Sequence, residues 1–196
     1  MVYNIIKVYM INKFVLSRSQ NLAYVKNNLD DFINNNLILS RYDDEDPLKD
    51  IAYNNFKTAY EFILNNPDVD NDYKCLLKLH DILMKDLDDG IKAELSEEQI
   101  SELKKMIYQP TKSNTEVAID VMLYILEKRL FVDGDVRAAL LFSNKIMVDN
   151  GCGFITISPT YKDTFREKLR EYKNNNDYDI KDWIYKYCIK GPKLEY

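Results

Sequence analysis

Residues 129–142 read RLFVDGDVRAALLF, in which one glycine stands between two aspartates just ahead of a long apolar run. The chain has only five glycines, and a glycine at such a place commonly provides the turn that leads into a helix. The stretch therefore predicts a helix that begins after Gly134 and continues through ALLFSNKIMV as a buried element. Asn150 and Gly151 then predict a left-handed C-cap.

The turn in this stretch has two interpretations. A helix that starts here presents the amides of Asp135, Val136 and Arg137, and such a terminus attracts anions, usually phosphates. Arg137 would add a bidentate phosphate contact, and Asp133 would supply an oxygen ligand to a magnesium ion that bridges phosphates. The alternative is a plain capped turn, in which Asp133 or Asp135 caps the helix, Gly134 makes the turn and Arg137 is solvated. The stretch 129–142 is not a Walker loop, because the glycine-rich lead and the lysine of that motif are missing.

The composition limits the class of protein. The 196 residues are 46% hydrophobic and 30% charged, with few glycines and prolines, which favours one mainly α domain over 1–196. A net charge of -5 argues against a nucleic-acid binder, since such proteins carry a basic face. The three cysteines fit neither a disulfide framework nor a zinc spacing. Because the apolar N-terminus is broken by polar residues and no long apolar run occurs, we expect a cytoplasmic protein with no membrane span.

Helical spacing of apolar residues extends over most of the chain. It predicts helices over 21–33, 48–64, 73–87, from Ser96 with a capping box to Gln99, over 117–126, and over about 161–173 and 179–188. An acidic loop at 40–47 and the proline-containing segment 65–72 separate the early helices. FITISP, residues 154–159, is the best strand-like run. We therefore expect a mainly α fold with at most a small β element.

LFVDGDVRAALLFSNKIM resembles the signature of the Fic/Doc (Fido) family, in which His-x-Phe-x-(Asp/Glu)-Gly-Asn-(Gly/Lys)-Arg opens the active-site helix. Phe131, Asp133, Gly134 and Arg137 occupy the matching positions. NLAYVKNNLDDFI, NNFKTAYEFIL, LLKLHDILM and the stretch from NKIM to YKYCIKG are similar to other helices of the family, in the same order. The resemblance covers most of the chain and is weakest at 88–116. It implies a Fido-type helical bundle with at most a small β-hairpin flap.

The resemblance also implies an activity. Members of the family typically transfer AMP from ATP, or another phosphate-bearing group, to a hydroxyl of a target protein, with the motif histidine as general base. The ligands implied here are Mg²⁺ and ATP or another nucleotide, and a protein is the implied target or partner. In this sequence Gly134, Asp135, Val136 and Arg137 would bind the phosphates, and Asp133 would bind the metal ion.

The chain departs from the family pattern at the positions that carry the chemistry. Arg129 stands where the histidine is expected, and it stays protonated, so it cannot accept a proton from a hydroxyl. Losing a positioned base costs about 10²–10⁴-fold in rate. Asp135 replaces the asparagine and repels phosphate, Val136 replaces glycine or lysine, and Leu140 replaces a second arginine that many members carry. These changes imply weakened nucleotide binding.

Two other segments and the single histidine also bear on the resemblance to the family. The region 88–116, which would contain the target-positioning flap, reads mostly as helix, and only YQPTKSNTE resembles the flap. The region near FINNNLILS lacks the glutamate with which many members inhibit themselves. His80, the only histidine, shares a helical face with Leu76 and Leu83, and we interpret it as structural.

Three functions are compatible with these observations. The leading hypothesis is a Fic-like protein that has lost AMP transfer and acts by binding a protein, as a regulator or a decoy. The second is an active nucleotidyl- or phosphate-group transferase that uses another base, such as Asp133 or Glu127. The third is an inactivated toxin of a toxin–antitoxin pair. The sequence leaves the oligomeric state open.

Overall fold

The computed structural model of the protein describes residues 10–37, 39, 46–87, 93–175 and 177–193. These residues are mainly helical, which confirms the predicted fold class. The helices are α1 (Arg18–Asn27), α2 (Leu29–Leu37), α3 (Lys49–Asn65), α4 (Tyr73–Met84), α5 (Glu97–Ile107), α6 (Asn114–Lys128), α7 (Asp135–Asp149), α8 (Lys162–Asn175) and α9 (Asp179–Trp183). A 3-10 turn (Pro159–Tyr161) precedes α8, and a π-helical turn (Ile184–Cys188) follows α9. No helix in the described ranges is long and apolar enough to cross a membrane.

The small sheet lies where the strand-like run FITISP is found. Strand β1 (Phe154–Ile155) pairs antiparallel with β2 (Ile189–Lys190), and Phe154 stands opposite Lys190. The segment implied to contain the flap has a different structure. Its described part, 93–116, contains α5 and the start of α6 and no strand, while 88–92 lies outside the described residues. The predicted capping box is present at the start of α5.

Helix α7 occupies the centre of the fold. All of its residues from Arg137 to Val148 are buried, and α1, α2, α3, α4, α6 and β1 contact it. The Asn144 side chain fastens β1 to this helix, because its Nδ2 donates to Ile155 O at 2.8 Å and its Oδ1 accepts from Ile155 N at 2.7 Å. The amide group therefore replaces the hydrogen bonds that a neighbouring strand would make.

The helix predicted over 21–33 is in fact two helices, α1 and α2, which meet at Asn28. This residue has φ -123° and ψ 14°, outside the helical region. Its Nδ2 donates to Tyr24 O at 2.8 Å, so the side chain takes a carbonyl that a continuous helix would use. Asparagine competes with helical backbone bonds in this way, and a pattern of apolar residues alone does not reveal it. The predicted acidic loop at 40–47 falls mostly outside the described residues.

The predicted C-cap of α7 is confirmed. Gly151 has φ +64°, its N–H bonds to Val148 O at 3.2 Å, and the next N–H, of Cys152, bonds to Met147 O at 2.9 Å. These two bonds define a Schellman motif. Gly151 also meets the N-terminal segment, since its O accepts from Leu16 N at 2.9 Å and a Cβ on it would lie 1.9 Å from Leu16 O.

Replacing Gly151 with alanine should destabilise the protein strongly. A left-handed backbone costs a non-glycine residue about 1–2 kcal/mol, and the clash with Leu16 adds to this cost. We expect the free energy of unfolding, measured by urea denaturation, to fall by about 2 kcal/mol or more. Glu167→Ala, an exposed change on α8, should stay within about 0.5 kcal/mol of the wild type. Equal stability of Gly151→Ala and wild type would contradict this reading of the C-cap.

Candidate functional site

The turn between α6 and α7 carries the candidate site. Arg129 follows α6 in a left-handed conformation (φ 49°, ψ 63°), and α7 begins at Asp135 after Gly134 (φ 84°, ψ 0°), as predicted. A Cβ on Gly134 would lie 2.9 Å from Met84 Sδ and 3.3 Å from His80 Nε2. Glycine is therefore required here both by the backbone conformation and by close packing against α4.

Neither aspartate of the turn caps α7, so that part of the capped-turn interpretation is wrong. Gly134 is the N-cap residue, and among the described residues α7 has no side-chain cap hydrogen bond. Asp133 Oδ1 accepts the N–H of Gly134 at 2.7 Å, and Asp135 Oδ1 accepts the N–H of Phe131 at 3.0 Å. Asp135 is already the first helical residue, and a cap residue must precede it. Both carboxylates therefore stabilise the turn itself.

The expectation that Arg137 is solvated is also wrong. Only 1% of its surface is exposed, although it lies in the first turn of α7. Its Nη1 donates to Leu83 O at 3.2 Å, and its Nη2 lies 3.2 Å from Met84 Sδ. These two residues end α4, where carbonyls lack helical donors and the helix dipole is negative. Arg137 thus caps the C-terminus of a neighbouring helix.

His80 supports the turn from the side of α4. Its ring stacks on that of Phe131, with centroids 3.9 Å apart and an interplanar angle of 19°. Its Nε2 lies 2.8 Å from Asp133 O, and since a carbonyl only accepts, Nε2 carries the hydrogen. His80 is buried, and these contacts agree with the structural role predicted for it. Its partner could not be inferred from the sequence, because Asp133 contributes a backbone atom.

A cavity of about 300 Å³ opens at the start of α7. The structure brings together around it all six site residues predicted from the sequence, namely Arg129, Asp133, Gly134, Asp135, Val136 and Arg137. Its other walls are formed by Leu39, Leu126, Val132, Leu169 and Lys173. The candidate site is therefore a real concavity with both charged and apolar walls.

Lys173 is a lining residue that the sequence analysis missed. It lies on α8, whose residue Phe165 is buried in the core, and Leu169 lines the cavity one turn before it. The spacing of Phe165, Leu169 and Lys173 is four residues at each step, which places all three on one face of the helix. The spacing alone indicates that these residues share a helix face. It does not show that this face of α8 lies against the turn before α7, so the sequence does not identify Lys173 as a cavity residue.

Charges around the cavity influence one another. Burial raises the pKa of Asp135, whereas the hydrogen bond from Phe131 and the positive charges of Arg129 and Lys173 act to lower it. Burial, together with repulsion by Arg129, lowers the pKa of Lys173. Arg129 and Lys173 are exposed and, among the described residues, neither forms a hydrogen bond or an ion pair. The cavity rim therefore carries two cations that lack a direct anionic partner there.

The remaining candidate positions lie in different environments. Val136 lines the cavity and packs against the core, and Leu140 is fully buried. Glu127, the other alternative base, does not line this cavity. It lines a second cavity of about 420 Å³ between α5 and α6, together with Tyr124, whose hydroxyl donates to Glu102 Oε2 at 2.7 Å. Glu127 also lies within electrostatic range of Lys173, whose pKa it acts to raise, so it is near the motif cavity without lining it.

A magnesium ion in this cavity would have the carboxylates of Asp133 and Asp135 as protein ligands. Within the described part of the chain, no three His, Cys, Asp or Glu side chains lie close enough together to hold a metal ion. Mg²⁺ commonly binds through one or two carboxylates and takes its other ligands from phosphates and water. The residues thus fit an ion that arrives with a nucleotide, and Asp133 is the residue that would contact it.

Replacing His80 with leucine should show how much His80 stabilises the turn. The change keeps an apolar side chain but leaves Asp133 O without its donor, so we expect the free energy of unfolding to fall by about 1–2 kcal/mol. Urea denaturation measures this difference. Asp81→Asn, an exposed change at the next position of α4, should have little effect. An unchanged midpoint for His80→Leu would mean that the hydrogen bond contributes no net stability.

Replacing Asp135 with asparagine should stabilise the protein near neutral pH. A carboxyl whose pKa is raised by folding opposes folding once it ionises, so its contribution to stability decreases as the pH rises through the folded pKa. Asparagine keeps an oxygen for the N–H of Phe131 and has no charge to bury. We expect the variant to gain stability near neutral pH and to lose that gain in acid, as measured by urea denaturation across the pH range. The exposed change Asp68→Asn should show no such dependence, and a gain independent of pH would contradict the explanation.

No protein-family model and no curated protein matches this chain. The resemblance to the Fic/Doc signature therefore rests on the residues of the motif and on the order of the segments around it. What this site does must be argued from the geometry of its own side chains.

Proposed function

We propose that the protein is a Fic-like protein whose altered motif no longer supports AMP transfer, and that it acts in the cytoplasm by binding a protein partner, as a regulator or a decoy. The observation that carries the proposal is Arg129. An exposed arginine lines the cavity at the position where the family pattern has its general base. A guanidinium keeps its proton at any working pH, so it attracts anions but does not deprotonate a hydroxyl.

The other groups near the turn do not offer an obvious replacement for the base. Asp133 and Asp135 each accept a backbone N–H through Oδ1, which leaves less of the carboxylate available to a substrate hydroxyl. His80 lies behind Phe131 and directs its Nε2 hydrogen at Asp133 O. Asp133 is therefore the main alternative base to be tested, because it lines the cavity and remains close to the motif.

The contacts of Arg137 also support binding without transfer. In the family pattern this arginine would contact phosphate, but here its guanidinium is buried and donates to Leu83 O. A phosphate would have to compete with that carbonyl and with the sulfur of Met84. Phosphate binding would then cost a rearrangement at the end of α4, which agrees with weakened nucleotide binding.

The proposal is tested by an AMP-transfer assay. The purified protein is incubated with Mg²⁺ and ATP labelled in its α-phosphate, together with a total protein extract as acceptor. We expect no labelled protein above the level of a heat-denatured control, because the loss of a positioned base costs about 10²–10⁴-fold. The triple variant Arg129→His, Asp135→Asn, Val136→Lys restores the family pattern and is assayed in parallel.

Label transfer by the wild-type protein would contradict the proposal, provided that Arg137→Ala abolishes it. If Asp133→Asn abolished that transfer as well, while Glu127→Gln did not, the protein would be an enzyme with Asp133 as its base. Transfer by the triple variant alone would support the proposal, since it would show that the altered residues are what prevent the reaction. An inert triple variant would indicate that the scaffold has diverged beyond the motif.

A further inference from the structure

We infer that the rim of the motif cavity docks an acidic segment of a partner protein, with a carboxylate seated between Arg129 and Lys173 and an apolar neighbour resting on Val132. This inference rests on the proposed function, which assigns binding to the site but says nothing of the chemistry of the partner. It also gives a role to Lys173, which lies outside the motif.

The sign of the charge at the cavity differs from that of the whole chain. The protein carries a net charge of -5, yet the described residues that line the cavity include three cations and two carboxylates. Both carboxylates are held to backbone N–H groups of the turn, whereas Arg129 and Lys173 are exposed on the rim. An acidic partner would be attracted to this place on a surface that otherwise repels it.

The two rim cations also interact unfavourably with each other. Arg129 contributes to lowering the pKa of Lys173, so their charges are close enough to repel, and neither forms an ion pair among the described residues. Asp135 lies within electrostatic range of both, but its Oδ1 is bonded to Phe131 N, and Glu127 lies within range of Lys173 without forming an ion pair with it. A carboxylate placed between Arg129 and Lys173 would relieve this repulsion and accept hydrogen bonds from both side chains.

The rim has an exposed apolar residue beside these charges. Val132 has 88% of its surface exposed, although Leu130 and Phe131 just before it are buried. Leu169 and Val136 continue the apolar surface into the cavity. Apolar side chains bordered by charged ones are typical of protein interaction sites, in which apolar contacts give affinity and charges give orientation.

The dimensions favour a protein side chain over a nucleotide. The cavity of about 300 Å³ lies at the lower end of the range of about 300–1,000 Å³ found for small-molecule sites. Its deepest cation, Arg137, is committed to Leu83 O, so the charges that remain accessible are those of the rim. A ligand held at the rim by the two cations and Val132 would need only one or two side chains to make these contacts.

The inference is tested with a fluorescein-labelled peptide of alternating glutamate and valine, compared with one of alternating glutamine and valine. Binding is measured by fluorescence anisotropy at low salt, where exposed charges are least screened. We expect the glutamate peptide to bind more tightly. Arg129→Gln and Lys173→Gln should each weaken it roughly two- to five-fold, the range expected for one exposed ion pair. Val132→Ser should weaken both peptides.

Arg166→Gln is the matched control, because Arg166 is exposed on the same helix as Lys173, does not line the cavity, and changes the net charge equally. It should leave binding unchanged. The inference is overturned if the glutamate peptide shows no preference, or if Arg166→Gln weakens binding as much as Lys173→Gln does. It is also overturned if Mg-ATP displaces the peptide and needs Arg129 and Lys173 for its own binding. AMP transfer by the wild type would instead overturn the proposed function, and the peptide result would still stand.

Discussion

Burial of α7 from Arg137 to Val148 is the constraint on which the rest of the structure depends. A helix surrounded on all sides must satisfy its polar side chains within the protein, since a buried polar group without a partner costs about 1–3 kcal/mol. Four such side chains find acceptors, namely Arg137 on Leu83 O, Ser143 on Ala139 O, Asn144 on Ile155 O and Lys145 on Asp149 Oδ2. The contacts of Arg137 and Asn144 fix the end of α4 and the small sheet against the central helix, whereas those of Ser143 and Lys145 lie within α7.

Stability and the candidate site consequently depend on the same residues. The turn before α7 is held by His80 stacked on Phe131, by the close approach of Gly134 to Met84, and by the cap that Arg137 provides to α4. Packing against α4 therefore explains why a glycine and an arginine stand at these two positions.

Much of this could be predicted from the sequence because it depends on local rules. The start of α7, its glycine C-cap, the capping box of α5 and the strand at FITISP all follow from short patterns. The break at Asn28, the burial of Arg137 and the presence of Lys173 at the cavity depend on partners distant in the chain. The spacing of apolar residues does not indicate which carbonyl will accept a hydrogen bond from a buried guanidinium. The pattern correctly grouped the motif residues, but it could not show which charges are exposed at the rim.

The left-handed backbone of Arg129 has a consequence for substitutions at this position. Residues other than glycine rarely adopt this backbone region, but histidine, asparagine and aspartate adopt it several times more often than most of them. Arginine has no such preference for the left-handed region, and an exposed side chain at this position does not require it. The chain thus keeps at this position a local geometry that a histidine tolerates well. An Arg129→His substitution would therefore require no movement of the main chain.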